Sequence, residues 1–202
     1  MRVFKLILVH LIFVILLMGC SNINNITTNN ITKLEYEPLS SKEERLSKID
    51  NSKTLIYNLK NLPTNKNYKI SIIYEVYEKE NKIKEDEITL LLNDNNSEKN
   101  STETITLSIQ KNKIGFALGK DAGYAFGSYD ITEDLSNYSS KCMTGNVDLN
   151  LGTTLYLYHA MKNDSPLSAV GTNDMLDSEY LATSLKDYNY NVFIKLVYEE
   201  VK

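Results

Sequence analysis

One histidine stands beyond the first 19 residues: His159, in the run Leu155-Tyr-Leu-Tyr-His-Ala-Met161. Imidazole is the most frequent general base because its proton affinity lies near neutral pH. A triad also needs a nucleophile in an activating setting, and no Gly-x-Ser-x-Gly elbow occurs in the chain. The expectation for His159 is therefore a structural or solvent-facing role at a strand end. Cys142, in Ser139-Ser-Lys-Cys-Met-Thr-Gly145, has Lys141 beside it to favour a thiolate. The competing reading is a small buried apolar residue or an inert loop thiol. One histidine and one free thiol cannot supply the clustered ligands of a structural zinc site.

Carboxylates gather twice, in Asn173-Asp-Met-Leu-Asp-Ser-Glu179 and around Asp130, Glu133 and Asp134. Oxygen ligands of this kind suit Ca2+, yet neither segment has the spacing of the helix-loop-helix calcium motif. Solvated loop charge is the default, with calcium as the alternative. Asp174, Asp177, Glu179 and His159 are the surface candidates for ligand contact. Gly119-Lys-Asp121 invites comparison with a phosphate-binding loop, but Ile114 stands where the first glycine belongs and Asp121 replaces the required hydroxyl. A turn between strands is the reading that remains.

The N-terminus carries chemistry of another kind. Arg2 and Lys5 precede an apolar run from Leu6 to Met18 broken only by His10, which is the pattern of a secretory signal. A membrane-spanning helix needs about 20 apolar residues, and this run is shorter. It closes on Leu17-Met-Gly-Cys20, which resembles the lipobox of bacterial lipoprotein signals. The resemblance implies a diacylglyceryl thioether on Cys20 and cleavage before it, leaving residues 1–19 as the signal peptide. Two acyl chains supply the second hydrophobic signal that stable anchoring requires. Loss of Arg2 and Lys5 leaves 20 basic against 26 acidic residues, a net charge of −6. That balance, with no basic stripe, argues against nucleic acid as a partner. With Cys20 lipidated, Cys142 has no partner for an intramolecular disulfide, so the core must hold by packing.

Positioning elements follow from periodicity. Residues 20–50 read as the lipidated cysteine and a tether, asparagine-rich from Ser21 to Lys33, with a short helix near 42–50 capped by Ser41 and Glu44. Beyond residue 50 the dominant period is two. Ile70, Ile72, Tyr74 and Val76 share a face of one strand, Lys79-Glu-Asn-Lys82 suits a hairpin turn, and the return strand places Ile88, Leu90 and Leu92 together. Ile105, Leu107 and Ile109 alternate with hydroxyl residues, and Ile114, Phe116 and Leu118 follow on the paired strand. Residues 119–127, with Tyr124 and Phe126, predict a bent or bulged edge. Further strands are expected at 147–151, 154–159 and 190–199, while 174–186 fits helix and strand alike. The fold class is all-β: a single antiparallel β-sandwich, or a barrel-like relative, over residues 51–202.

The strand Lys69-Ile-Ser-Ile-Ile-Tyr-Glu-Val-Tyr77, the pair across 105–118, the run 149–158 and the closing Tyr188-Asn-Tyr-Asn-Val-Phe-Ile-Lys-Leu-Val-Tyr198 together resemble uncharacterised lipoproteins of Gram-positive bacteria. The resemblance implies a small exported β domain at the extracytoplasmic face of the cell membrane, and it carries over no catalytic residue. Fourteen tyrosines and no tryptophan add a candidate contact surface, should one sheet face leave several exposed. The leading expectation is a non-enzymatic module that binds an envelope protein or a wall polymer. An envelope hydrolase and a solute-capture protein are the alternatives.

Overall fold

Where apolar residues recur at every second position, the backbone is extended and one face of each strand turns inward. The computed structural model describes residues 31–64, 66–93, 102–120, 123–163 and 178–201, without the side chains of residues 120, 123 and 124. Cys20 and its leader, residues 21–30, residues 94–101, Asp174 and Asp177 lie outside them. In chain order the elements are β1 (Thr32–Glu37), α1 (Ser41–Ile49), β2 (Lys53–Lys60), β3 (Tyr68–Glu78), β4 (Asn81–Asn93), β5 (Glu103–Ile109), β6 (Lys113–Lys120), β7 (Gly123–Asp130), β8 (Ser139–Cys142), β9 (Val147–Leu149), β10 (Thr153–Lys162), α2 (Ser178–Asp187) and β11 (Tyr190–Glu200). A single 3-10 turn, Leu135–Asn137, precedes β8.

Two antiparallel sheets pack face to face as a β-sandwich. The first has the order β7-β6-β5-β2-β1-β9, and the second β4-β3-β11-β10-β8. Between them lie Leu34, Leu55, Tyr57, Leu59, Ile105, Leu107 and Ile114 from the first sheet, and Ile70, Ile72, Tyr74, Leu155, Val192, Ile194 and Leu196 from the second, all buried. Each aliphatic side chain fully withdrawn from water contributes about 1.5–3 kcal/mol before conformational entropy is counted.

Tyrosine takes the place that tryptophan and phenylalanine fill in many sandwiches. The Tyr57 hydroxyl crosses from β2 to donate to the Met143 and Leu157 carbonyls at 2.9 and 3.3 Å, stitching the layers together. Tyr68 and Tyr198 meet edge to face at 5.6 Å, and Tyr74 donates to Glu133. A buried ring with its hydroxyl satisfied combines a large apolar area with one directional bond. Burial raises the phenol pKa values of Tyr57, Tyr68 and Tyr74, so all three stay neutral donors. Seven of the thirteen described tyrosine side chains are buried and the rest are half-buried, so no exposed tyrosine face exists among them.

Two boundaries and the facing of one strand differ from the sequence-based expectation. The compact unit begins at Ile31, not at residue 51: Thr32–Glu37 pairs with β2 on one side and β9 on the other, and Leu34 is wholly buried. A strand this short shows only three alternations, too few to stand out from an asparagine-rich lead. The helix starts one residue early. Ser40, not Ser41, is its N-cap: Glu43 N–H donates to Ser40 Oγ at 3.4 Å and Ser40 N–H to Glu43 Oε2 at 2.7 Å. Both registers satisfy the same Ser-x-x-Glu rule, and the exit from β1 selects between them. In β4, Ile88 turns inward, but Leu90 and Leu92 are 39% and 62% exposed. A bulge explains this, because Ile72 pairs with Thr89 while Ile73 pairs with Glu87, so the facing alternation inverts at Ile88. β7 is an edge of the first sheet, as residues 119–127 predict, but it pairs with β6 in unbroken register without the expected bulge, and Phe126 projects from it 83% exposed.

Candidate functional site

His159 lies in β10 with no exposed surface, between the sheet and α2. Asn191 Nδ2 donates to the Tyr188 carbonyl at 3.0 Å, which leaves its Oδ1 to accept from His159 Nε2 at 2.8 Å. Nδ1, 2.7 Å from the Tyr180 hydroxyl, accepts from it. The ring stacks on Phe193 at a centroid distance of 4.2 Å. Burial, opposed in part by the Asn191 bond and reinforced by Lys141, pushes the imidazole pKa down to about 4. Both ring nitrogens are committed, and no reactant could reach them without displacing α2. The surface placement expected for His159 is therefore wrong. Of the two roles expected for it, the structural one holds, and the solvent-facing one fails because its cover arrives from α2, 21 residues further along.

The same outer face holds a second buried polar group. The pairing register sets Lys141, His159, Phe193, Glu75 and Glu85 in one row across β8, β10, β11, β3 and β4. Glu75 is buried, and its Oε1 accepts from Lys195 Nζ at 2.6 Å and Lys82 Nζ at 2.7 Å. Burial alone would weaken the Lys82 charge, but the hydrogen bonds to Glu75 and Glu85 outweigh it and raise the pKa. Tyr77, Tyr156 and Phe193 pack beneath Tyr180, Leu181 and Leu185 of α2 as a small second core. On this face Glu75 and Glu85 are neutralised by Lys82 and Lys195.

The other candidates among the described residues are held in local contacts. Cys142 is half-buried and packs against the main core, whereas Lys141 extends to the opposite face, its Nζ 5.7 Å from the Tyr180 ring centre. Strand alternation thus separates the thiol from the ammonium that was to activate it. Glu179 is exposed in the first turn of α2, where a carboxylate favours the positive end of a helix. Asp134 accepts from the Ser136 hydroxyl, pairs with Lys111 at 3.0 Å and caps the 3-10 turn through Ser136 N–H at 3.1 Å, contacts that hold its pKa below the usual carboxylate value. Glu133 accepts from Tyr74, and Asp130 lies 3.8 Å from Lys113. Among the described residues no three potential metal ligands converge.

An open hollow of about 400 Å³ lies elsewhere, at one end of the sandwich. Lys48, Asn51, Ser52 and Lys53 line it from the α1–β2 connection, Ile109, Gln110 and Lys111 from the β5–β6 turn, and Leu135, Ser136, Ser140 and Tyr158 from the far side. Its walls are fastened. Asn51, at φ 54°, ends α1 in a left-handed cap, with its N–H on the Lys48 carbonyl at 3.3 Å and Ser52 N–H on the Ser47 carbonyl at 2.9 Å. Leu135 N–H reaches the Lys111 carbonyl at 2.7 Å, tying the 3-10 turn to the hairpin. Lys53 Nζ lies 3.4 Å from Ser140 Oγ and 5.8 Å from the Tyr158 ring centre. Among the described residues, three lysines and no carboxylate line this hollow, in a chain whose overall charge is negative. No sequence motif announces it, since its cations come from positions 48, 53 and 111. The chain matches no protein-family model, no curated protein and no solved structure.

Proposed function

We propose that the protein is a non-enzymatic binding module, tethered through a lipid on Cys20 to the outer face of a bacterial membrane, where it engages an envelope protein or a wall polymer. The pre-formed, lysine-ringed hollow carries the binding role: it is open to solvent, and its walls are held by backbone hydrogen bonds. The anchoring rests on the apolar run 6–18 ending at Cys20. None of the described helices is long and apolar enough to cross a membrane. An envelope hydrolase using His159 is disfavoured, because that imidazole is sealed and both its nitrogens are bonded.

The test is crosslinking of the anchored protein in cells, followed by mass spectrometry of what is joined to it. A dominant partner or polymer fragment supports the module. Turnover of ester, glycan or peptide substrates that His159→Ala abolishes refutes it in favour of the enzyme. Cys20→Ser releases the protein from the membrane fraction if the lipid holds it there, and undiminished membrane association of that variant refutes the anchor.

A further inference from the structure

We infer that the hollow between the C-terminal end of α1, the β5–β6 turn and β8 binds a phosphate-bearing polyol or sugar unit. This deepens the binding-module reading and rests on it. A volume of about 400 Å³ matches a ligand of one or two sugar or polyol units, several times a bare phosphate. Its charge selects an anion. Lys48 has no ion-pair partner among the described residues, and Lys53 contacts a neutral hydroxyl and an aromatic ring. Lys111 is the one compensated cation, through Asp134, which does not line the hollow. Two ammonium groups with no carboxylate partner among the described residues, set in a concave site, focus a positive potential within a chain of net negative charge.

Among the described residues, Asp134 and Asp50 oppose that potential, Asp134 through its bonds to Lys111 and Ser136. Asp50 caps α1 beside Lys48, and the helix's C-terminal end is a partial negative charge. The N–H groups of Asn51 and Ser52 already occupy the Lys48 and Ser47 carbonyls there, which blunts that charge. Lysine meets phosphate as a point charge, without the fixed fork that would favour a planar carboxylate. Around the ammonium groups, Gln110 and Ser140 present amide and hydroxyl groups suited to a polyhydroxylated body, while the Ser52 hydroxyl is held on Ser47. The hollow is open on its solvent side, so a unit that continues into a chain can lie in it without threading an end.

The full chain, held in detergent micelles, is titrated calorimetrically with inorganic phosphate, glycerol 3-phosphate and poly(glycerol phosphate), with glycerol as the uncharged control. Saturable binding of the phosphorylated ligands, lost with added salt, is expected. The double variant Lys48→Gln/Lys53→Gln should weaken it by about tenfold or more, while Lys33→Gln, outside the hollow, leaves it unchanged. Unfolding midpoints of both variants establish that they fold, and Lys53→Arg should retain binding. Tighter binding of the polymer than of its monomer identifies a polymeric source, and equal affinity per phosphate a free small molecule; either supports the site. No saturation by any phosphorylated ligand up to about 10 mM, or an unchanged affinity in the folded double variant, overturns the inference. If crosslinking in cells still yields a dominant partner in that case, the binding-module reading survives its loss; if it yields none, both fall together.

Discussion

Acidification should unlatch α2 through one residue. In the folded protein the His159 pKa is pushed down to about 4, against 6.5 for the free side chain, because the ring is buried and holds its proton only at Nε2. The unfolded chain therefore binds a proton that the folded chain refuses anywhere between those two values. Stability rises with pH wherever the unfolded state binds more protons. The contribution of His159 is thus fully present above about pH 6.5, falls as pH drops through the window, and is exhausted near pH 4. Each unit of displacement is worth about 1.4 kcal/mol, so the total loss is about 3 kcal/mol, a large share of an ordinary domain's stability. The assay is urea unfolding of the wild type and of His159→Gln, from about pH 7.5 to 3.5. Carboxylates contribute equally to both proteins and cancel in the difference. The wild type should lose about 3 kcal/mol relative to the variant across the window, with the steepest change between about pH 6 and 4.5. Parallel curves for the two proteins would refute the sealed, neutral imidazole.

Two substitutions probe the rest of the framework. Tyr57→Phe removes the hydroxyl that bridges the sheets and strands the Met143 carbonyl in the core, so it should cost about 1–3 kcal/mol in urea unfolding with no change in secondary structure by circular dichroism. Glu75→Gln leaves Lys195, only 13% exposed, beside a neutral amide and should cost about 3 kcal/mol. Glu75→Leu combined with Lys195→Met should recover most of that loss, because well-packed apolar groups can replace a buried pair. A neutral single variant, or a double variant less stable than either single one, would remove the buried ion pair from the account.

Much of the sandwich is legible in the residues alone. Ile70, Ile72, Tyr74 and Val76 announce their shared face, as do Ile105, Leu107 and Ile109, because side-chain direction in a strand is set by the backbone's own period of two. The lack of a nucleophile elbow is equally plain from local spacing. What local pattern cannot carry is an interruption imposed by a partner strand. The bulge at Ile88 exists in the pairing of β4 with β3, and it turned Leu90 and Leu92 outward against their apparent alternation.

The candidate site belongs wholly to the tertiary structure. The sequence by itself determined an all-β chain behind an apolar N-terminal run, with one histidine beyond that run and no catalytic motif. Only the fold decided that His159 is sealed, since its lid, Tyr180, sits on a helix whose segment read equally well as a strand. Only the fold brought Lys48, Lys53 and Lys111 around one hollow, joining a helix end, a strand start and a hairpin turn. Periodicity records which way a side chain faces. Which charges converge depends on how the two sheets and their connections stack, and that is settled by packing between residues far apart in the chain.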